Sequence, residues 1–144
     1  MSPTAKSSFF ASWFASPQFL RHVLWLDAAS GVATAALQCE FSNTLAAPLG
    51  LPASLLLWTG GLLAACVLGI VWIATRPAIP TTAVWLLIAV NALWVLGCLG
   101  LLVSSTVTPT LWGELFLIVQ AVAVGVLAEL EWIGVRKMAP RDAW

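Results

Sequence analysis

The sequence predicts an all-α integral membrane protein: an up-down-up-down bundle of four transmembrane helices with both termini cytoplasmic. Three observations carry this. The 144 residues are 61% hydrophobic and only 8% charged, with a mean hydropathy of +0.99, whereas soluble domains run near about 45–50% apolar and about 25% charged. Four apolar segments, each about 20 residues or longer, match the length needed for a hydrocarbon core of about 30 Å. Finally, all six basic residues (Lys6, Arg21, Arg76, Arg136, Lys137 and Arg141) fall on one side of that arrangement, as the positive-inside rule requires of cytoplasmic loops.

Residues 1–16 hold Phe9, Phe10, Trp13 and Phe14 among serines and alanines, the composition of an interfacial aromatic segment. The first span is expected over about 17–39. Asp27 interrupts its apolar run and no A-x-A site follows, so it reads as a retained helix and not as a cleaved signal. The next spans are expected over about 52–75, 80–103 and 109–136, with 137–144 as a cytoplasmic tail. Pro17, Pro52, Pro80 and Pro109 open the four spans, where a missing N–H is harmless, and Ser16 and Thr108 stand ready as N-caps. The links at Thr75-Arg76-Pro77 and at residues 104–108 are short enough to force antiparallel neighbours. The longer first link carries Leu45, Leu49 and Leu51, the pattern of a short helix or turn lying on the outer surface. In this topology Trp25, Trp72, Trp85 and Trp132 fall at the inner boundary and Trp58 and Trp112 at the outer one. Trp94 sits deep, one turn from Asn91.

An aspartate within a membrane helix costs about 2.5–3.5 kcal/mol on insertion scales and usually faces a partner, a cavity or a pathway. Asp27 lies about 9 Å into the first helix from Arg21, and Glu129 lies about 10 Å in from Arg136 along the fourth. Ser30, Thr34 and Gln38 continue the Asp27 face as one polar stripe. Asn91 and Gln120, nearer mid-membrane, complete a polar seam above the acids. Gln120 and Glu129 lie on opposite sides of the fourth helix, whereas Glu131 shares the Gln120 face. Gly125, one turn before Glu129, leaves room for a neighbour, so Glu129 is expected inward and Glu131 toward the headgroups. Arg21, His22 and Arg76 are the candidate counter-charges, able to reach inward along the apolar wall. Three arrangements then fit: an Asp27/Glu129 network tied to Arg76 or His22, a proton shared by the two carboxylates, or a cation or amine held between them.

The second span carries no acid or amide. Gly61, Ala65 and Gly69 repeat at four-residue spacing, a small-residue face for close helix approach, expected within the bundle ahead of a contact between subunits. The other signals are negative. His22 is the sole histidine, and Cys39, Cys66 and Cys98 form no C-x-x-C, so no zinc, haem or thiol-redox pattern is present; neither a phosphate loop nor a G-x-S-x-G appears. With no basic cluster, nucleic acid is not an expected partner. No cofactor, metal site or catalytic residue is assigned, and the chain is expected not to be an enzyme.

The stretches LWLDAASG, LGLP, NALWVL and AELEWIGVRK resemble small bacterial inner-membrane proteins of about this length with four helices. The resemblance implies membrane location and fold and supplies no catalytic residues. The function expected is that of a non-enzymatic inner-membrane accessory subunit or self-associating module with a buried acidic site. The alternatives are a small proton- or cation-coupled transporter, or a lipid or apolar small-molecule binding protein using Trp94 and Asn91. The partners expected are the lipid bilayer and either a homo-oligomer or a larger membrane complex.

Overall fold

The computed structural model describes residue 9, residues 12–14 and residues 16–138. Among the described residues there is no strand, and five helices follow residue 16: α1 (Pro17–Glu40), α2 (Ser42–Leu49), α3 (Ala53–Ala74), α4 (Thr81–Val103) and α5 (Leu111–Met138). Three of these, α3, α4 and α5, are long and apolar enough to cross a membrane, which marks the chain as a membrane protein. The 24-residue α1 is as long, but Arg21, Asp27 and Glu40 dilute its apolarity. Phe10, Lys6, Arg141 and the tail beyond Met138 lie outside the described residues. Within the N-terminal aromatic segment, the rings of Trp13 and Phe14 meet Phe19 edge-on at 4.9 and 4.8 Å.

Helix boundaries follow from local chemistry. Ser16 caps α1 as expected, its hydroxyl accepting from Phe19 N at 3.3 Å, and Pro17 sits in the first turn. Pro52 and Pro80 sit one position earlier, at the N-caps of α3 and α4. The expectation for α5 needs correcting. Thr110, not Thr108, accepts from the Gly113 N–H at 3.2 Å, and Pro109 lies before the helix. Thr110 N also donates to Leu49 O at 3.0 Å, which ties the start of α5 to the end of α2. That junction demands two glycines. Gly50 has φ +64°, a left-handed conformation, and a side chain on Gly113 would run into the Leu49 carbonyl oxygen.

The long helices pack in pairs, α1 along α3 and α4 along α5, with α1 also against α5; α3 and α4 barely touch, and α2 lies against α3 and α5. Neighbours run antiparallel. Arg21 near the start of α1 donates to the Ala74 carbonyl at the end of α3 and to the carbonyls of Arg76 (3.0 Å) and Pro77 (3.3 Å) in the link that follows, and Gln38 at the other end of α1 meets Thr59 early in α3. The terminal carbonyls of a helix have no partner within it, and a guanidinium there also complements the negative end of the helix dipole. One apolar cluster, with Leu20, Leu24, Ile70, Val84 and Val135 among its buried members, fills the end that carries the basic residues. A second, built on Leu49, Leu51, Leu56, Cys98 and Leu117, fills the opposite end under α2.

The small-residue face of α3 also needs correcting. A Cβ on Gly61 or on Gly69 meets nothing within 4 Å, and both are exposed, as is Ala65. Close approach to α1 is made by Gly60, where a Cβ would lie 2.8 Å from Cys39 Sγ and 2.9 Å from Gln38 Cβ, and by Gly31, where it would lie 2.6 Å from Val67 Cγ2. Adjacent helix positions differ by about 100°, so one residue of phase turns the Gly61 face outward.

Candidate functional site

The polar centre forms where α1, α4 and α5 come together. Asn91 of α4 donates from Nδ2 to Asp27 Oδ2 on α1 and to Glu131 Oε2 on α5, both at 3.1 Å. All three side chains are buried, at 5% exposure for Asp27, 8% for Asn91 and 0% for Glu131. An amide nitrogen carries two hydrogens, and here each has a carboxyl oxygen, which fixes the orientation of the Asn91 amide. Both carboxyl groups therefore converge on the one amide nitrogen of Asn91. Glu131 Oε1, fully buried, has no hydrogen-bond partner.

Asn91 thus stands level with Asp27 instead of above it. Four residues of α1 precede Arg21, about 6 Å of rise, and they set Asp27 deeper than its distance from Arg21 alone implies. The expected partner of Asp27 is also wrong. Glu129 is exposed and lines an open hollow with Ile88, Trp132 and Ile133 on the outside of α5, and Glu131 takes the inward position. Two residues on a helix are about 200° apart, so only one of the two acids can face the interior. The glycine that reports close packing is Gly134, where a Cβ would meet Leu20 at 3.1–3.2 Å; at Gly125 it would meet only Val95 Cγ2, at 3.9 Å. Gly134 lies three residues after Glu131, on its face, and Gln120 lies eleven residues before it, three turns back. Those two residues were the sequence signal for Glu131.

The candidate counter-charges are engaged elsewhere. Arg21 is spent on the carbonyls at and just beyond the end of α3, Arg76 lies over the Trp72 ring at 4.2 Å, and His22 is exposed. Arg136 lies over Trp132 at 4.8 Å and Lys137 near the Phe14 ring at 5.3 Å. Among the described residues no cluster of three or more His, Cys, Asp or Glu is placed to hold a metal ion, and Cys39, Cys66 and Cys98 are free thiols.

Two further polar pairs extend the centre away from the basic end. Trp94 Nε1 donates to Gln120 Oε1 at 3.2 Å, bridging α4 and α5. Thr59 Oγ1 donates to Gln38 Oε1 at 2.8 Å, bridging α3 and α1; Thr59 had no sequence signal beyond its hydroxyl. Because α3 and α4 barely touch, a cleft of about 470 Å³ opens between them, with Leu55, Leu62, Leu93, Gly97 and Phe116 among its apolar walls and Gln38, Thr59, Trp94 and Gln120 as its polar points. A smaller cavity of about 120 Å³ runs beside the acid pair, with Asp27, Ser30, Thr34 and Asn91 on its wall. The two hydroxyls there bond back along α1, Ser30 to Asp27 O and Thr34 to Ser30 O. Cleft and cavity share Cys66, Val90, Trp94 and Gln120. Comparison with protein-family models, curated proteins and solved structures finds no match to this chain.

Proposed function

We propose that this chain is a non-enzymatic, four-span protein of the bacterial inner membrane, with both termini cytoplasmic, that binds a small and mostly apolar molecule in the cleft between α3 and α4. The observation that carries the reading is the cleft itself. Its volume of about 470 Å³ lies within the range of about 300–1,000 Å³ found for small-molecule sites, which combine apolar walls with a few fixed polar groups. Trp94 and Gln120 hold one another in place at its wall, as do Gln38 and Thr59, so its polar groups are preorganised.

Membrane insertion of α1 as the fourth span is supported by its 24 residues, about 36 Å of rise, and by the burial of Asp27 and Gln38 against spans that are themselves apolar. Orientation is supported by the gathering of Arg21, Arg76, Arg136 and Lys137 at one end, two of them over interfacial tryptophans. The test is mass spectrometry of the chain extracted in mild detergent, in parallel with Gly97→Leu. A Cβ at Gly97 meets nothing within 4 Å, and the residue lines the cleft, so a leucine side chain there takes up cleft volume. A co-purifying small molecule, lost from the folded variant, is the expected result. Retention of that molecule by folded Gly97→Leu would sink the reading.

A second reading, self-association or docking as an accessory subunit, is favoured by the outward Gly61, Ala65 and Gly69 face, which is open to another helix. Crosslinking in native membranes distinguishes the two, since ligand binding needs no second chain.

A further inference from the structure

A cleft for an apolar molecule does not by itself explain a pair of acids buried beside it. A buried carboxylate is expensive unless something neutralises it, and Asp27 is buried at 5% exposure. Of the candidate counter-charges, Arg21 is committed to backbone carbonyls and Arg76 to Trp72, and His22 is exposed. The groups presented to the 120 Å³ cavity are, moreover, almost all acceptors. Both Asn91 amide hydrogens are given to the carboxylates, leaving its carbonyl oxygen. The Ser30 and Thr34 hydroxyl hydrogens are given to the backbone of α1, leaving their lone pairs. The wall also carries Asp27 itself and Trp94, an aromatic side chain of the kind that attracts cations. The Gln120 amide, whose oxygen accepts from Trp94, is the exception.

From this wall of acceptors we infer that the cavity walled by Asp27, Ser30, Thr34 and Asn91 receives the ammonium of a monovalent organic amine whose apolar body lies in the cleft between α3 and α4. The inference rests on the ligand-binding reading above. An ammonium brings three donors and one positive charge to a wall of acceptors that includes the Asp27 carboxylate. The residues shared by cavity and cleft, Cys66, Val90, Trp94 and Gln120, make the two spaces neighbours, and the proposed amine spans both. A bare metal ion would leave the apolar cleft unused.

The test is calorimetric titration of the full chain, in nanodiscs of phosphatidylglycerol, with phenylbutylammonium and with its uncharged isostere phenylbutanol. The ammonium is expected to bind about tenfold or more tightly than the alcohol, and Asp27→Asn to abolish that preference while alcohol binding persists. Equal affinity of the two probes for the unsubstituted chain overturns the inference and leaves the cleft reading standing, a comparison that needs no variant to fold. Binding of neither probe overturns both. Glu131→Gln leaves Asp27 on the cavity wall and is expected to retain the preference; its loss there, in a folded variant, counts against Asp27 as the group that meets the ammonium. Phosphatidylethanolamine, which carries a primary amine of its own, separates two sources of the ligand. If its addition to the nanodiscs weakens ammonium binding severalfold, the amine belongs to a lipid headgroup, and unchanged binding assigns it to a free molecule.

Discussion

The seam between α1 and α3 and the seam between α3 and α4 begin from similar materials and end differently. Along the first, Gly60 and Gly31 bring the backbones together, Gln38 receives the Thr59 hydroxyl, and Arg21 ties off the far end. Along the second the helices hardly meet and a cleft opens, although α3 and α4 are the two most apolar helices, with mean hydropathies of 2.2 and 2.5 over their best windows. Apolarity therefore does not decide which helices close. Lipid tails are as apolar as leucine, so no hydrophobic force draws two membrane helices together. Contact has to come from small residues that face each other and from hydrogen bonds across the gap. Gly97 and Gly100 of α4 have no neighbour within 4 Å of a built Cβ, so small residues without an opposing surface leave space instead of contact.

Substitutions at glycine separate the two seams most sharply. Gly60→Ala places a Cβ 2.8 Å from Cys39 Sγ and 3.3 Å from the Ala35 carbonyl oxygen, forcing α1 from α3. A loss of about 2–3 kcal/mol is expected in denaturant titration of the detergent-solubilised protein. Unchanged stability would mean that the tight seam does not depend on that contact.

The acid pair, which joins α1 to α5 through α4, gives the next largest effect. Glu131→Ala leaves one Asn91 hydrogen without an acceptor in a buried site and is expected to cost about 1–3 kcal/mol. Glu129→Ala, on the exposed face, is expected to cost less than about 0.5 kcal/mol by the same titration. Equal effects at the two positions would contradict the assignment of Glu131 to the interior.

The smallest effects belong to the open positions. Gly97→Ala in the cleft and Gly61→Ala on the outer face meet no neighbour, and each is expected to raise stability by about 0.5–1 kcal/mol through helix propensity alone. A loss at Gly61 that grows with protein concentration, followed by sedimentation velocity, would instead show that this face is closed by a second chain.

Composition and spacing were enough to read the helices, because apolarity over about 20 residues and prolines at helix starts are properties of the local chain. Their boundaries fell within one or two residues of the observed α1, α3, α4 and α5. The short helix in the first link was legible for the same reason, since Leu45, Leu49 and Leu51 mark an amphipathic turn. The polar types in the site were legible too. Asp27, Asn91, Trp94, Gln120 and Gln38 all line or bridge the interior, and a polar group in an apolar segment already announces that it needs a partner. Tertiary structure decided the rest. The choice of Glu131 over Glu129 and of Gly60 over Gly61 turns on rotating one helix by about 100–200°. No local energy fixes that rotation, because it depends on which surface the neighbouring helix presents. The cleft was likewise invisible, since a gap is a property of two helices that fail to meet and has no residue of its own.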